Sequence, residues 1–178
     1  KQVQNIIHPG CIKYLLVTLF PRRYNKFMIF KLHTSFPEYL ETEWNGLLAE
    51  SITHVPFLRY EYLHNWWQTR GGGEWSTESS LVIITAHDGD HLVGIAPLFL
   101  NKKSDKSTLL FLGSIEISDY LDLIVRPKDL SVFMEGLFTY LTTNPDMPDW
   151  DTLDLYNLFE SSPSNAYFQK IATNLGLT

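Results

Sequence analysis

This chain has a single cysteine, so Cys11 can close no internal disulfide, and a reducing, cytoplasmic setting fits. Basic residues are outnumbered. Fourteen Lys and Arg against 20 Asp and Glu leave a formal charge of −6, which argues against nucleic acid or an anionic membrane as the main partner. The apolar stretch Ile12 to Phe20 falls short of the ~20 residues a membrane span needs. It ends at Pro21-Arg22-Arg23 with no small-residue cleavage site, so it reads as a surface helix or strand, not as a signal peptide. There is no internal repeat and no low-complexity tract. Gly71-Gly72-Gly73 follows a helical pattern and precedes no Lys-Ser/Thr, which excludes a phosphate-binding P-loop. Cys11 lies outside the recognisable domain and no serine sits in a nucleophile elbow, so triad chemistry finds no support.

What remains suits one globular domain. A length of 178 residues with 44% hydrophobic side chains is enough for a substantial core, and an aromatic content of 14% predicts that rings fill much of it. Residues 1–27 are set apart as an N-terminal extension of uncertain status, with Met28 a candidate initiator, and the domain is taken as 28–178. Met28 to Leu32 reads as a strand. Ser35-Phe36-Pro37-Glu38 carries a capping-box pattern, followed by Leu40, Trp44, Leu47 and Leu48 at helical spacing. A second helix starts at Pro56 and ends at the three glycines. Trp66 and Trp67 point roughly 100° apart on it, and core packing suits them better than a carbohydrate cleft.

The period then changes. Leu81 to Ile84 is a continuous apolar run, Asp88-Gly89 is a hairpin turn, and His91 to Leu100 returns as a strand. Pro97 within that strand predicts an edge position or a bulge. Leu109 to Leu112 forms a third strand, and Leu121 to Val125 a fourth or a continuation. Pro127 opens a helix with Leu130, Phe133, Met134, Leu137 and Leu141 on one face. Thr152 to Leu158 alternates as a strand. Ser162-Pro163 starts a last helix carrying Tyr167, Phe168, Ile171 and Leu175, capped at Gly176. The class is α/β with a mixed sheet.

Pro56-Phe57-Leu58 with Trp66-Trp67, Gly94-Ile95-Ala96-Pro97-Leu98, Phe111-Leu112-Gly113-Ser114 and Ser118-Asp119-Tyr120-Leu121-Asp122 occur in that order. Together with the element order they resemble the N-terminal half of acetyltransferases of the general N-acetyltransferase (GNAT) superfamily. The likeness is to the cellulose-biosynthesis type, which carries two GNAT-like halves and is related to Fem-type peptidyl transferases. The resemblance implies a largely antiparallel sheet flanked by helices, here without the family's last two strands, since the chain stops after the final helix. It implies acyl transfer from acetyl-coenzyme A or another acyl-coenzyme A to an amine or hydroxyl, linked to polysaccharide biosynthesis. The implied partners are a second GNAT-like half and a small-molecule or saccharide acceptor.

The family's strand-to-helix loop holds the pyrophosphate on glycine backbone N–H groups. Here it is Val125-Arg126-Pro127-Lys128-Asp129-Leu130, without glycine, so the cofactor is expected in the other half and no cofactor-binding residue is assigned. Acceptor binding is assigned to Ser118, Asp119, Tyr120 and Asp122, whose carboxylates can hold an amine or sugar hydroxyls and whose tyrosine can stack on a sugar face. Strand alternation puts Tyr120 and Asp122 on one face. As the acceptor wall that the resemblance implies, these side chains face a cleft, and Asp119→Asn and Asp122→Asn are expected barely to change stability. The competing reading of the segment is an ordinary turn. His87-Asp88-Gly89-Asp90-His91 has metal-ligand residue types, but Asp-Gly explains it as a hairpin and no metal site is assigned. The other functional class is a non-catalytic GNAT-like module that binds saccharide or protein.

Overall fold

The computed structural model describes residues 2–3, 6–7, 28–113 and 115–174. The expected elements Ile12 to Phe20, Leu175 and Gly176 lie outside the described residues. The strands are β1 (Gln2–Val3), β2 (Ile6–Ile7), β3 (Ile29–His33), β4 (Ser80–Asp88), β5 (His91–Lys103), β6 (Lys106–Phe111), β7 (Ile124–Val125), β8 (Thr152–Asp154) and β9 (Leu158–Phe159). The helices are α1 (Glu41–Ala49), α2 (Tyr60–Gly73), α3 (Leu130–Thr143) and α4 (Pro163–Asn174). One open sheet runs β2-β8-β6-β5-β4-β3, with β7 also on β5, while β1 pairs with β9. Among the described residues the strand pairings are antiparallel except β6 with β8, which is parallel and is bridged by α3; the isolated bridge Leu121–Leu158 is also parallel. The fold is therefore α/β with a mostly antiparallel open sheet flanked by helices.

Alternation along β5 decides which helices go where. Gly94 lies under Phe133 of α3, and α4 joins α3 on that face through an edge-on contact of Phe138 with Phe168. Phe99 points the other way, into Trp66 and Trp67 of α2 and Trp75 beyond it. Helix α1 packs beside α2, where buried Trp44 donates its indole N–H to the Leu58 carbonyl at 2.9 Å. The apolar faces predicted for α1 and α3 are all buried.

Several local expectations change: the strand expected over Leu121 to Val125 is only Ile124–Val125, and that expected over Thr152 to Leu158 breaks into β8 and β9. Ser35 caps no helix: a 3-10 turn, Glu38–Leu40, intervenes and α1 starts only at Glu41. Pro56 opens another 3-10 turn, Pro56–Leu58, and α2 follows at Tyr60. Pro97 occupies neither an edge nor a bulge. It sits in the middle of the sheet opposite Ile83, at the seam where β5 changes partners, from β7 at residues 94–95 to β6 at residues 98–103. The missing N–H falls where no ladder bond is required, and the Pro97 carbonyl still accepts from Leu112 N–H at 2.8 Å.

The end of α2 is unusual. Arg70, Gly71 and Gly72 adopt left-handed conformations (φ 52°, 66° and 76°), and Gly73 also has positive φ at 94°. Glycine makes this turn accessible. Arg70 tolerates it by stacking its guanidinium 3.4 Å from the centroid of the Trp67 ring and donating to the Trp67 carbonyl. The turn reverses the chain so that Trp75 lands edge-on against Phe99, at a centroid distance of 5.1 Å.

Candidate functional site

Between β6 and β7 the chain leaves the sheet. Gly113 permits the exit with φ +102°, and a Cβ there would meet Leu121 at 2.9 Å and Ser118 Oγ at 3.0 Å. The excursion is fastened from three sides. Tyr62 Oη donates to the Ile117 carbonyl at 3.0 Å and lies 2.9 Å from Ser118 Oγ. Asn157 Nδ2 donates to the Ile115 carbonyl (3.1 Å) and the Ser118 carbonyl (2.5 Å). The Glu74 carboxylate accepts from Ile115 N–H at 3.4 Å.

This geometry separates the four residues assigned to acceptor binding. Ser118 is buried under Tyr62, and Asp119 is exposed. Tyr120 is exposed on one side and stacks flat on Phe159, with centroids 3.9 Å apart. Asp122 is completely buried and is not on a cleft wall. Alternation fails here because Leu121 makes only an isolated bridge, to Leu158, and regular pairing resumes at Ile124.

Asp122 instead gathers hydroxyls. Thr53 Oγ1 donates to its Oδ2 at 2.6 Å and Ser162 Oγ to the same oxygen at 2.5 Å. Ser164 Oγ and Leu123 N–H donate to Oδ1. Ser162 precedes Pro163 at the start of α4 and accepts from Ser164 N–H at 3.3 Å, so the carboxylate lies at a helix N-terminus, where negative charge is favoured. Burial pushes the Asp122 carboxyl above its ordinary range, and the four donors hold it back. This cluster joins the α1–α2 connection, the strap before β7 and α4 through one buried group. The sequence carried a hint in Ser162-Pro163-Ser164, read there only as a helix start.

The strand-to-helix turn is closed in a different way. Asp129 immediately precedes α3 and is buried. Arg126 is committed to Glu50 at 2.5 Å, a bond that holds the Glu50 carboxyl below its usual range. The adjoining groove, about 630 Å³, is lined by the carboxylates Glu43, Glu50, Asp88, Asp90 and Asp129 against Arg126 and Lys128. Five acids against two cations, with Asp129 buried directly before the helix, do not fit a diphosphate.

Trp66 and Trp67 belong with the core around Phe99, as expected. His87 and His91 flank the Asp88-Gly89 hairpin, and among the described residues no group of three or more His, Cys, Asp or Glu is placed to hold a metal ion. Burial lowers the His87 and His33 rings below their ordinary range. Among the described residues no helix is long and apolar enough to cross a membrane. Compared with family models, curated proteins and solved structures, the chain matches none.

Proposed function

We propose that this chain is a GNAT-like half of an acyl-coenzyme A-dependent acyltransferase, working on the acceptor side of N- or O-acetyl transfer. The observation that carries the reading is the strand order β3-β4-β5-β6-β8, with its one parallel step and an interruption of the fourth strand at residues 112–123. In this reading the interruption corresponds to the place where a GNAT sheet opens to admit substrate. A second GNAT-like half then holds acetyl-coenzyme A, because the turn before α3 has no glycine and ends on the buried Asp129. This half supplies a wall of the acceptor cleft and a packing surface for its partner.

Calorimetry tests both parts. Acetyl-coenzyme A titrated into this chain is expected to give no one-to-one isotherm tighter than about 100 μM, roughly −5.5 kcal/mol. Titrated into the natural polypeptide in full, it is expected to give one. Tight binding by this chain alone would move the cofactor into this half, and no binding by the full polypeptide would remove the acyltransferase reading altogether.

A further inference from the structure

Among the described residues, the face of the sheet that α2 covers is only half covered. Trp66, Trp67 and Trp75 shield Phe99, but the paired positions farther along the same face are left under a groove of about 520 Å³. Strand register specifies its floor. Asn101 pairs with Thr108, Leu110 pairs with Phe99, and Asp154 of β8 pairs with Leu110, so all lie on the Phe99 side. Trp75 and Tyr156, both half-buried, add two rings to the lining, and Ile115 completes one end. Lys103, Asp105 and Lys106 lie at the β5–β6 hairpin end.

We infer that this groove binds a neutral saccharide. Its volume falls within the ~300–1,000 Å³ of small-molecule sites. Two aromatic rings offer flat apolar surface for the C–H face of a pyranose, while Asn101, Thr108 and Asp154 offer an amide, a hydroxyl and a carboxylate for its hydroxyls. Charge decides against an ionic ligand: the lining carries two lysines and two aspartates, which cancel. A carboxylate in the floor would repel an anion, and the lysines at the hairpin would repel a cation.

The lining is also built to hold its shape. The left-handed turn at Arg70–Gly73 places Trp75, and the Ile115 N–H bond to Glu74 ties that segment to the excursion after β6. Asn157, left-handed at φ 62°, anchors the same excursion one residue after Tyr156. Strained backbone concentrated around one cavity is more common at binding sites than at plain surface. None of Ser118, Asp119, Tyr120 or Asp122 lines the groove, so the acceptor position shifts from those residues to Trp75, Asn101, Thr108, Asp154 and Tyr156. The inference depends on the acyl-transfer reading for its place in a reaction and on the groove alone for binding.

Cellotriose, maltotriose and chitotriose are titrated calorimetrically into the chain, with inorganic phosphate as the ionic probe. At least one trisaccharide is expected to bind one-to-one with a Kd of about 1 mM or tighter, and phosphate is expected not to bind. Tyr156→Ala and Asp154→Asn should each weaken that binding ~10-fold or more, equivalent to ~1.4 kcal/mol. Lys103→Ala should leave it within about twofold, as a residue at the rim. Asp154 is nearly buried, so if its variant does not fold, Tyr156→Ala decides. Failure of all three sugars to bind at ~10 mM, or unchanged binding by Tyr156→Ala, overturns the site. Phosphate binding abolished by Lys103→Ala overturns it in favour of an anion site. Acetyl-coenzyme A binding by the full polypeptide is measured separately, so either proposal can fail without the other.

Discussion

Asp122→Ala is expected to destabilise this protein by about 3–5 kcal/mol, from the buried donors it leaves without an acceptor, and to lower its Tm by roughly 6–20 °C, at about 2–4 °C per kcal/mol for a chain of this size. The carboxylate is fully buried and accepts from Thr53, Ser162, Ser164 and the Leu123 N–H. Removing it strands several buried donors at once, at ~1–3 kcal/mol for each that finds no substitute. Ser162 and Ser164 lie 2.9 Å apart and can partly satisfy each other, which keeps the total below the sum.

Asp122→Asn is expected to cost less, because the amide oxygen still accepts, and its cost should depend on pH. Burial holds the folded carboxyl above its unfolded value near 3.8, so between those two values the native state binds more protons than the unfolded state. Wild-type stability from this group is therefore greatest below pH 3.8 and falls as pH rises through the folded pKa. The asparagine variant cannot ionise and does not follow, so its deficit narrows with rising pH. Chemical denaturation of both proteins at several pH values measures this. A Tm for Asp122→Ala within ~3 °C of wild type would show that the hydroxyl cluster carries little stability.

Asp119 and Asp122 mark where legibility stops. In sequence they are two carboxylates of one short motif, yet one is exposed and the other has no exposed surface. Nothing local separates them, because the partners of Asp122 come from residues 53, 162 and 164 and meet only when the sheet and both helix layers are assembled. Periodic segments were legible for the opposite reason. Leu130, Phe133, Met134, Leu137 and Leu141 repeat at helical spacing because they bury one stripe, and all five are buried. Pro97 gave a true signal with an incomplete menu: a proline needs a position without a ladder bond, and a seam between two partner strands supplies one as well as an edge does. The groove over β6 and β8 was hidden because Asn101, Thr108 and Asp154 come from three strands, and only their register brings them side by side.

Gly94→Ala is the other substitution expected to have a large effect, and it tests how tightly α3 sits on the sheet. A Cβ at Gly94 would lie 2.3 Å from Phe133 Cδ2 and 2.4 Å from Cε2, closer than any real contact. Neither side can yield easily. The Gly94 backbone is paired with Ala86 on one side and Val125 on the other, and Phe133 is fully buried with Phe30 stacked 5.9 Å away. Replacing glycine normally gains ~0.4–1 kcal/mol by restricting the unfolded chain, but overpacking a tight core costs about 1–3 kcal/mol and occasionally more. The second effect wins here, and Gly94→Ala should destabilise by about 2 kcal/mol or more. Phe133→Leu alone should also destabilise, by opening space in the core. Combined, the two changes should be less harmful than their sum, since the smaller side chain makes room for the new methyl, giving a coupling of ~1 kcal/mol or more in a double-mutant cycle. Additivity within ~0.3–0.5 kcal/mol would mean that α3 shifts as a body to admit the methyl, and that glycine at this position is not what sets the distance between helix and sheet.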